Sequence, residues 1–383
     1  MKVDWMVVGA GFTGAVLAER LASQLDQKVL IVDSRPHIGG NAYDCRDEHG
    51  MLIHKYGPHI FHTNSLAVWN YLSQFTEWRF YYHRTLAAVE GKKVPLPFNL
   101  NSLHALFPVS YAERLEHLLV QHFGLGRRIP LVKLRQSPSE DIQALSGYIY
   151  EHIFLHYTRK QWDLEPEDLE PSVLARVPIS VSRDDRYFPD IYQAMPSQGY
   201  TQLLRRMLAH RNIHILLNTE LRDMAEGGVQ YGRMIYTGPI DSFFSYCYGP
   251  LPYRSARFDF QHLQQTYYQG AAIVNYPNGV PFTRISEFKY LTGQKAPGTT
   301  VAFEYPEPYH PGENLPLYPI PHPANHELYS RYLELAKALD GRFLFAGRLA
   351  DYKYYNMDQA VARALKVFHG IAQSQRPSKT RIK

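Results

Sequence analysis

Three glycines and one aspartate are the first residues in this chain that could do chemistry. Gly9, Gly11 and Gly14 stand in the string G-A-G-F-T-G, and Asp33 follows about 20 residues later at the end of a second apolar run. Residues without a Cβ let the chain turn sharply and approach a pyrophosphate. A helix starting there offers free N–H groups to its charge, and the aspartate can accept from ribose hydroxyls. NAD and FAD both fit that pattern. The next string, D-S-R-P-H-I-G-G-N, holds Arg35, Ile38, Gly39, Gly40 and Asn41, and by spacing is either more of a cofactor cradle or a turn. Near the other end, F-L-F-A-G-R-L and N-M-D-Q-A put a strand end and a helix start around Gly347 and Arg348. By spacing alone Arg348 is a site cation or a solvated surface arginine. His59 and His62 form H-x-x-H, but Pro58 opposes a helix and no third ligand is evident, so no metal is expected.

The elements that must hold these residues are legible in part. Val3 to Val8 is a short apolar run, Gly14 to Leu25 has helical periodicity, and Lys28 to Val32 is a second β-rich run: a βαβ unit. Thr85 to Phe98 reads as strand with a turn at Glu90 and Gly91, and Tyr111 to Phe123 and Ile142 to Phe154 read as helices. A helix and strand return between Tyr200 and Asn218, and Met234 to Thr237 is a further strand. Short runs rich in Tyr, Phe and Thr from Leu251 to Tyr305 look antiparallel; a last strand, Arg342 to Ala346, precedes a helix near Asp358.

At 383 residues, 45% hydrophobic and 20% charged, the chain reads as a soluble globular protein of about two or three domains. Its 29 tyrosines offer flat rings with a polar edge, which suits sugars and nucleotides. The net charge of +5 is compatible with an anionic ligand, but outside Gln375 to Lys383 the basic residues are scattered, so no nucleic-acid surface is expected. Cys45 and Cys247 have no CxxC spacing and are expected to be buried packing residues in a reducing compartment. Met1 leads through one short apolar stretch into the glycines; no signal peptide, no membrane span and a cytoplasmic location are expected.

Resemblances narrow these readings. D-S-R-P-H-I-G-G-N resembles the second glycine motif of the flavoproteins that include the amine oxidases, which favours FAD, with Gly9, Gly11, Thr13, Gly14, Asp33, Ser34, Gly39, Gly40 and Asn41 around it. Y-G-P-H-I-F-H-T at Tyr56, Y-T-R-K-Q-W at Tyr157 and G-R-L-A-D-Y-K-Y-Y-N-M-D at Gly347 resemble the bacterial UDP-galactopyranose mutases. G-Y-T-Q-L, Y-T-G-P-I-D and P-F-T-R-I extend the match in order over nearly the whole chain.

That resemblance implies an isomerase whose reduced FAD attacks the anomeric carbon through N5, expels UDP and carries the sugar while its ring opens and recloses, with no net redox. It implies that Arg176 and Arg284 clamp the diphosphate, that His62 positions the reactive face or the sugar, and that His59, Ile60, Arg348, Asn356, Met357 and Asp358 surround the flavin. Phe154, Tyr157, Thr158, Trp162, Tyr187, Asn275, Tyr318 and Tyr354 match substrate contacts, and the segment after Trp162 a mobile lid. His83 stands where the family often has Asn, and Asn356 where it often has Asp; His83 leaves open an acetamido sugar or a pentose nucleotide.

The expected fold is α/β: a discontinuous Rossmann-like FAD domain (residues 1–76, 196–245 and 318–383), an antiparallel sheet domain (77–100 and 246–317) and a helical domain with the lid (101–190). UDP-galactose as substrate, an external reductant such as NAD(P)H and a homodimer complete the expectation. A flavin oxidoreductase of the amine-oxidase type is the main rival; the paired arginines and Y-T-R-K-Q-W argue against it.

Overall fold

A computed structural model describes residues 1–169, 178–226 and 228–374. Arg176 lies outside them.

The apolar runs at the N-terminus build one parallel sheet. Its strands lie in the order Ile213–Leu216, Val29–Val32, Lys2–Val8, Gln230–Tyr236 and Phe343–Phe345, every neighbour parallel. Val29–Val32 is buried throughout, as expected of a strand covered on both faces. Against it lies the helix Phe12–Leu25, which buries Ala15, Val16, Leu17, Ala18 and Leu21 completely and packs on the long C-terminal helix Met357–Ser374. Placing sequence-distant strands side by side brings the Gly9 turn, the end of Val29–Val32 and the end of Phe343–Phe345 to one edge of the sheet, where ligands of open α/β folds bind.

A second sheet has seven strands: Tyr318–Pro319, Tyr253–Leu263, Thr299–Pro308, Arg284–Glu287, Ile273–Asn275, Thr85–Val89 and Lys92–Leu96. The sequence reading expects antiparallel pairing, and that holds except between Ile273–Asn275 and Thr85–Val89, which are parallel. No hairpin joins that pair, so no turn dictates its direction. Helices from Leu100–Leu106 to Glu140–Ile149 pack on the 85–96 hairpin, sharing a core of Val94, Leu96, Leu103, Leu115, Leu119, Leu145 and Ile149.

Three elements escape the sequence reading. A small sheet, Phe61–Thr63 with Tyr192–Pro196 and Trp78–Phe80, uses strands too short for periodicity to mark. Helix Pro323–Ala338 opens with proline in its first turn and His322 as cap. Between Ile149 and His156 the helix widens into a π-helical turn, Tyr150–Leu155, just before Tyr157. One expectation is corrected: Cys247 is exposed, in the turn that follows Ile240–Phe243, and Cys45, in the short strand Asp44–Arg46, is only half-buried.

Candidate functional site

The glycine turn is built to bring backbone against ligand. Gly9 has φ +107°, and a Cβ on Gly14 would sit 1.9 Å from the Gly9 carbonyl oxygen, so only glycine allows this close packing of turn on helix. No side chain caps the Phe12–Leu25 helix and its first turn holds no acid, so its N–H groups are left for an anion. Both Asp33 oxygens accept backbone amides, Oδ2 from Ala10 at 2.7 Å and Oδ1 from Arg35 at 2.9 Å, which ties the fingerprint turn to the second strand. Arg35 in turn donates to Asn41 Oδ1 at 2.9 Å and covers the Tyr56 ring.

These residues line one cavity of about 1070 Å³, enough for a dinucleotide. Gly9, Gly11, Thr13, Gly14, Asp33, Ser34, Gly39, Gly40, Asn41, His59, Arg348, Asn356 and Met357 all border it. Two expected cofactor residues do not. Ile60, partly buried, packs against the main core, and Asp358 accepts from Thr63 Oγ1 at 3.0 Å while its Oδ1 is buried without a partner. Thr219, Leu221 and Tyr309 also line the cavity, and no motif announces them.

At the His59 and Arg348 end the cavity meets a cluster of aromatic and charged side chains. Arg348 donates to the carbonyls of Tyr355 and Leu317 and lies over the rings of Tyr354 and Tyr318, at 5.0 and 5.7 Å. Trp162 packs edge-on to both tyrosines. Arg284 opens its strand, forks onto Glu304 of the neighbouring strand at 2.6 and 3.0 Å, and is the cross-strand partner of Asn275. Glu304 is 1% exposed and Arg284 22%, so the carboxylate is buried and fully paired while part of the guanidinium stays accessible. Burial pushes the Tyr157 and Tyr318 hydroxyls well up, so both stay neutral donors beside Arg284.

Histidines complete the wall. His59 Nδ1 bonds the Gly57 carbonyl at 2.8 Å, which fixes the proton there and leaves Nε2 as acceptor. His62 bonds Asp190 at 2.9 Å and stacks on Phe188 at 3.6 Å, so each histidine of H-x-x-H has its own separate partner.

Two expected substrate contacts sit otherwise. Phe154 is in the helical core. His83 is 2% exposed, with Tyr81 on one ring nitrogen and Thr85 on the other, so no nitrogen is left for a sugar; Tyr187, whose amide donates to the His83 carbonyl, packs beside it. Thr158 is buried in the helix that carries Tyr157 and Trp162.

Burial holds the His54 and His83 rings at a pKa of about 3, and His59 shifts the same way. An unfolded histidine titrates near pH 6.5, so below that pH the unfolded chain takes up protons the folded one excludes. This stability is therefore complete above pH 6.5 and is lost as the pH falls toward 3. Between pH 7 and 5.5 His54 and His83 together should lose about 2 kcal/mol. The thermal midpoint should fall by several degrees, and by less in His83→Asn; a midpoint level over that range would contradict it.

Fold and site together define a Rossmann-type dinucleotide protein whose cofactor cavity adjoins, at Arg348, a cluster of tyrosines and Trp162. The family model for UDP-galactopyranose mutase matches residues 152–354, and one for an NAD(P)-binding Rossmann-like domain matches residues 7–75. A Klebsiella pneumoniae protein named "Probable UDP-galactopyranose mutase" is 39% identical over 94% of this chain and 92% of its own. A dTDP-fucopyranose mutase of Escherichia coli is 33% identical over 94% and 96%. A crystal structure of reduced UDP-galactopyranose mutase superposes with TM-score 0.74 over 98% and 94% of the two chains at 16% identity, a likeness of fold. The chain belongs to the UDP-galactopyranose mutase family and is an isomerase. Among the described residues no helix is long and apolar enough to cross a membrane.

Proposed function

We propose that the chain interconverts UDP-galactopyranose and UDP-galactofuranose, with FAD bound in its reduced form. The observation that carries this is Arg284. Its guanidinium is oriented by Glu304, flanked by neutral tyrosines and close enough to act electrostatically on His59, which borders the dinucleotide cavity. The glycine cradle, the uncapped helix and Asp33 suit FAD in shape and charge.

When bound and reduced, the flavin supplies N5 as the nucleophile toward the anomeric carbon. The protein's own residues do the rest. Arg284, with Arg176 as its expected second, neutralises the diphosphate as the bond to the sugar breaks; a planar fork can follow two phosphate oxygens at once. Tyr157, Tyr318 and Tyr354 donate hydroxyl hydrogens, and burial keeps the first two neutral. Trp162 walls the nucleotide side, and His59 Nε2 and His62 border the sugar side. A reductant such as NAD(P)H, a homodimer and a cytoplasmic location belong to the same reading.

A second sugar has one observation in its favour, the similarity to the dTDP-fucopyranose mutase. The two are separated by giving the reduced protein UDP-galactofuranose and dTDP-fucofuranose in parallel. Faster conversion of the UDP sugar is expected; preference for the dTDP sugar would overturn the substrate assignment and leave the family intact.

A further inference from the structure

Lys160 projects from the helix His156–Trp162 to the loop that joins Asn275 to Arg284. Its ammonium donates to three carbonyls of that loop, those of Tyr276, of Val280 at 3.1 Å and of Phe282 at 2.9 Å. An ammonium has three donors and no acceptor, so three carbonyls satisfy it completely. The loop closes at its base through the Tyr276 amide and the Thr283 carbonyl, 2.8 Å apart, directly beside the cross-strand pair Asn275 and Arg284. The same helix carries Tyr157, Thr158 and Trp162. It is held on another side by Arg254, 5% exposed, whose Nε and Nη2 donate to the carbonyls of Gln161 and Lys160. Without the ammonium, three carbonyl dipoles would converge on one point with nothing to bond, and the loop would relax away from the helix.

We propose that Lys160 is a positioning residue for the nucleotide sugar: its ammonium holds the 276–283 loop closed on the helix, and so sets Arg284 and Asn275 against Tyr157 and Trp162. It acts through Arg284 rather than on the substrate. The inference rests on the mutase reading of the site. Arginine does not replace it, because a planar guanidinium cannot aim three donors at carbonyls grouped around one point.

The test compares wild type with Lys160→Ala, Lys160→Met and Lys160→Gln for cofactor content, affinity for UDP, kcat and KM. Loss of these charge-assisted bonds should lower UDP affinity and kcat/KM by about 30-fold, mostly through KM, with cofactor content unchanged. Ethylammonium should restore part of the affinity in Lys160→Ala and none in Lys160→Met, whose side chain fills the space. Wild-type UDP affinity in the three variants, or a loss in Lys160→Ala that no amine relieves, would overturn the proposal; should the alanine variant fail to fold, the UDP affinity of Lys160→Gln decides. If wild type itself converts no UDP sugar, the mutase reading fails, while the UDP-binding measurements still decide the role of Lys160.

Discussion

Replacing Arg284 by alanine should lower kcat/KM by about 10³-fold. Two losses combine. The departing diphosphate loses its preorganised guanidinium, an electrostatic contribution that reaches several kcal/mol in a dry site. Glu304, 1% exposed, is left as a buried carboxylate without its fork of donors. The double variant Arg284→Ala with Glu304→Gln separates these effects, since the amide removes the stranded charge. It should recover thermal stability but not turnover. Arg284→Lys retains charge without the fork and should recover more of KM than of kcat. Turnover within tenfold of wild type in Arg284→Ala would show that the arginine is an ordinary ion-pair partner.

Gly14→Ala should release the cofactor. The added methyl would lie 1.9 Å from the Gly9 carbonyl oxygen, an overlap with backbone that no side-chain rotation relieves. Overpacking against backbone costs ~3 kcal/mol, so cofactor affinity should fall at least about 100-fold and the protein should purify without yellow colour. Gly370→Ala is the control, because Gly370 lies in a regular helix and nothing lies within 4 Å of a Cβ there. A yellow Gly14→Ala protein with wild-type cofactor content would mean that the turn does not govern the site.

How much of this was legible in the sequence follows from how local each feature is. The fingerprint glycines and Asp33 act within one βαβ unit, so spacing alone locates them, and they border the cavity as expected. Arg284 has no such local mark. Only the ordered resemblance along the chain singled it out, and Glu304, its partner, was missed because the two meet through strand register across a sheet. A glutamate inside the apolar run V-A-F-E-Y was the available signal. Lys160 stood within a recognised string, yet its partners are backbone carbonyls, which carry no sequence signature. His83 aligned with a sugar-side position, but hydrogen bonds to Tyr81 and Thr85 occupy its ring, a contact pattern that alignment does not convey. The parallel pairing of Ile273–Asn275 with Thr85–Val89 was hidden for the same reason as Glu304: distant segments meet without a turn between them.

The most direct measurement is chromatography of UDP-galactofuranose incubated with the purified protein, with and without dithionite. Conversion to UDP-galactopyranose in the reduced sample alone is the predicted result, because the nucleophile is available only in the reduced cofactor. Equal conversion in both samples, or none in a sample whose flavin is bound and fully reduced, would contradict the account.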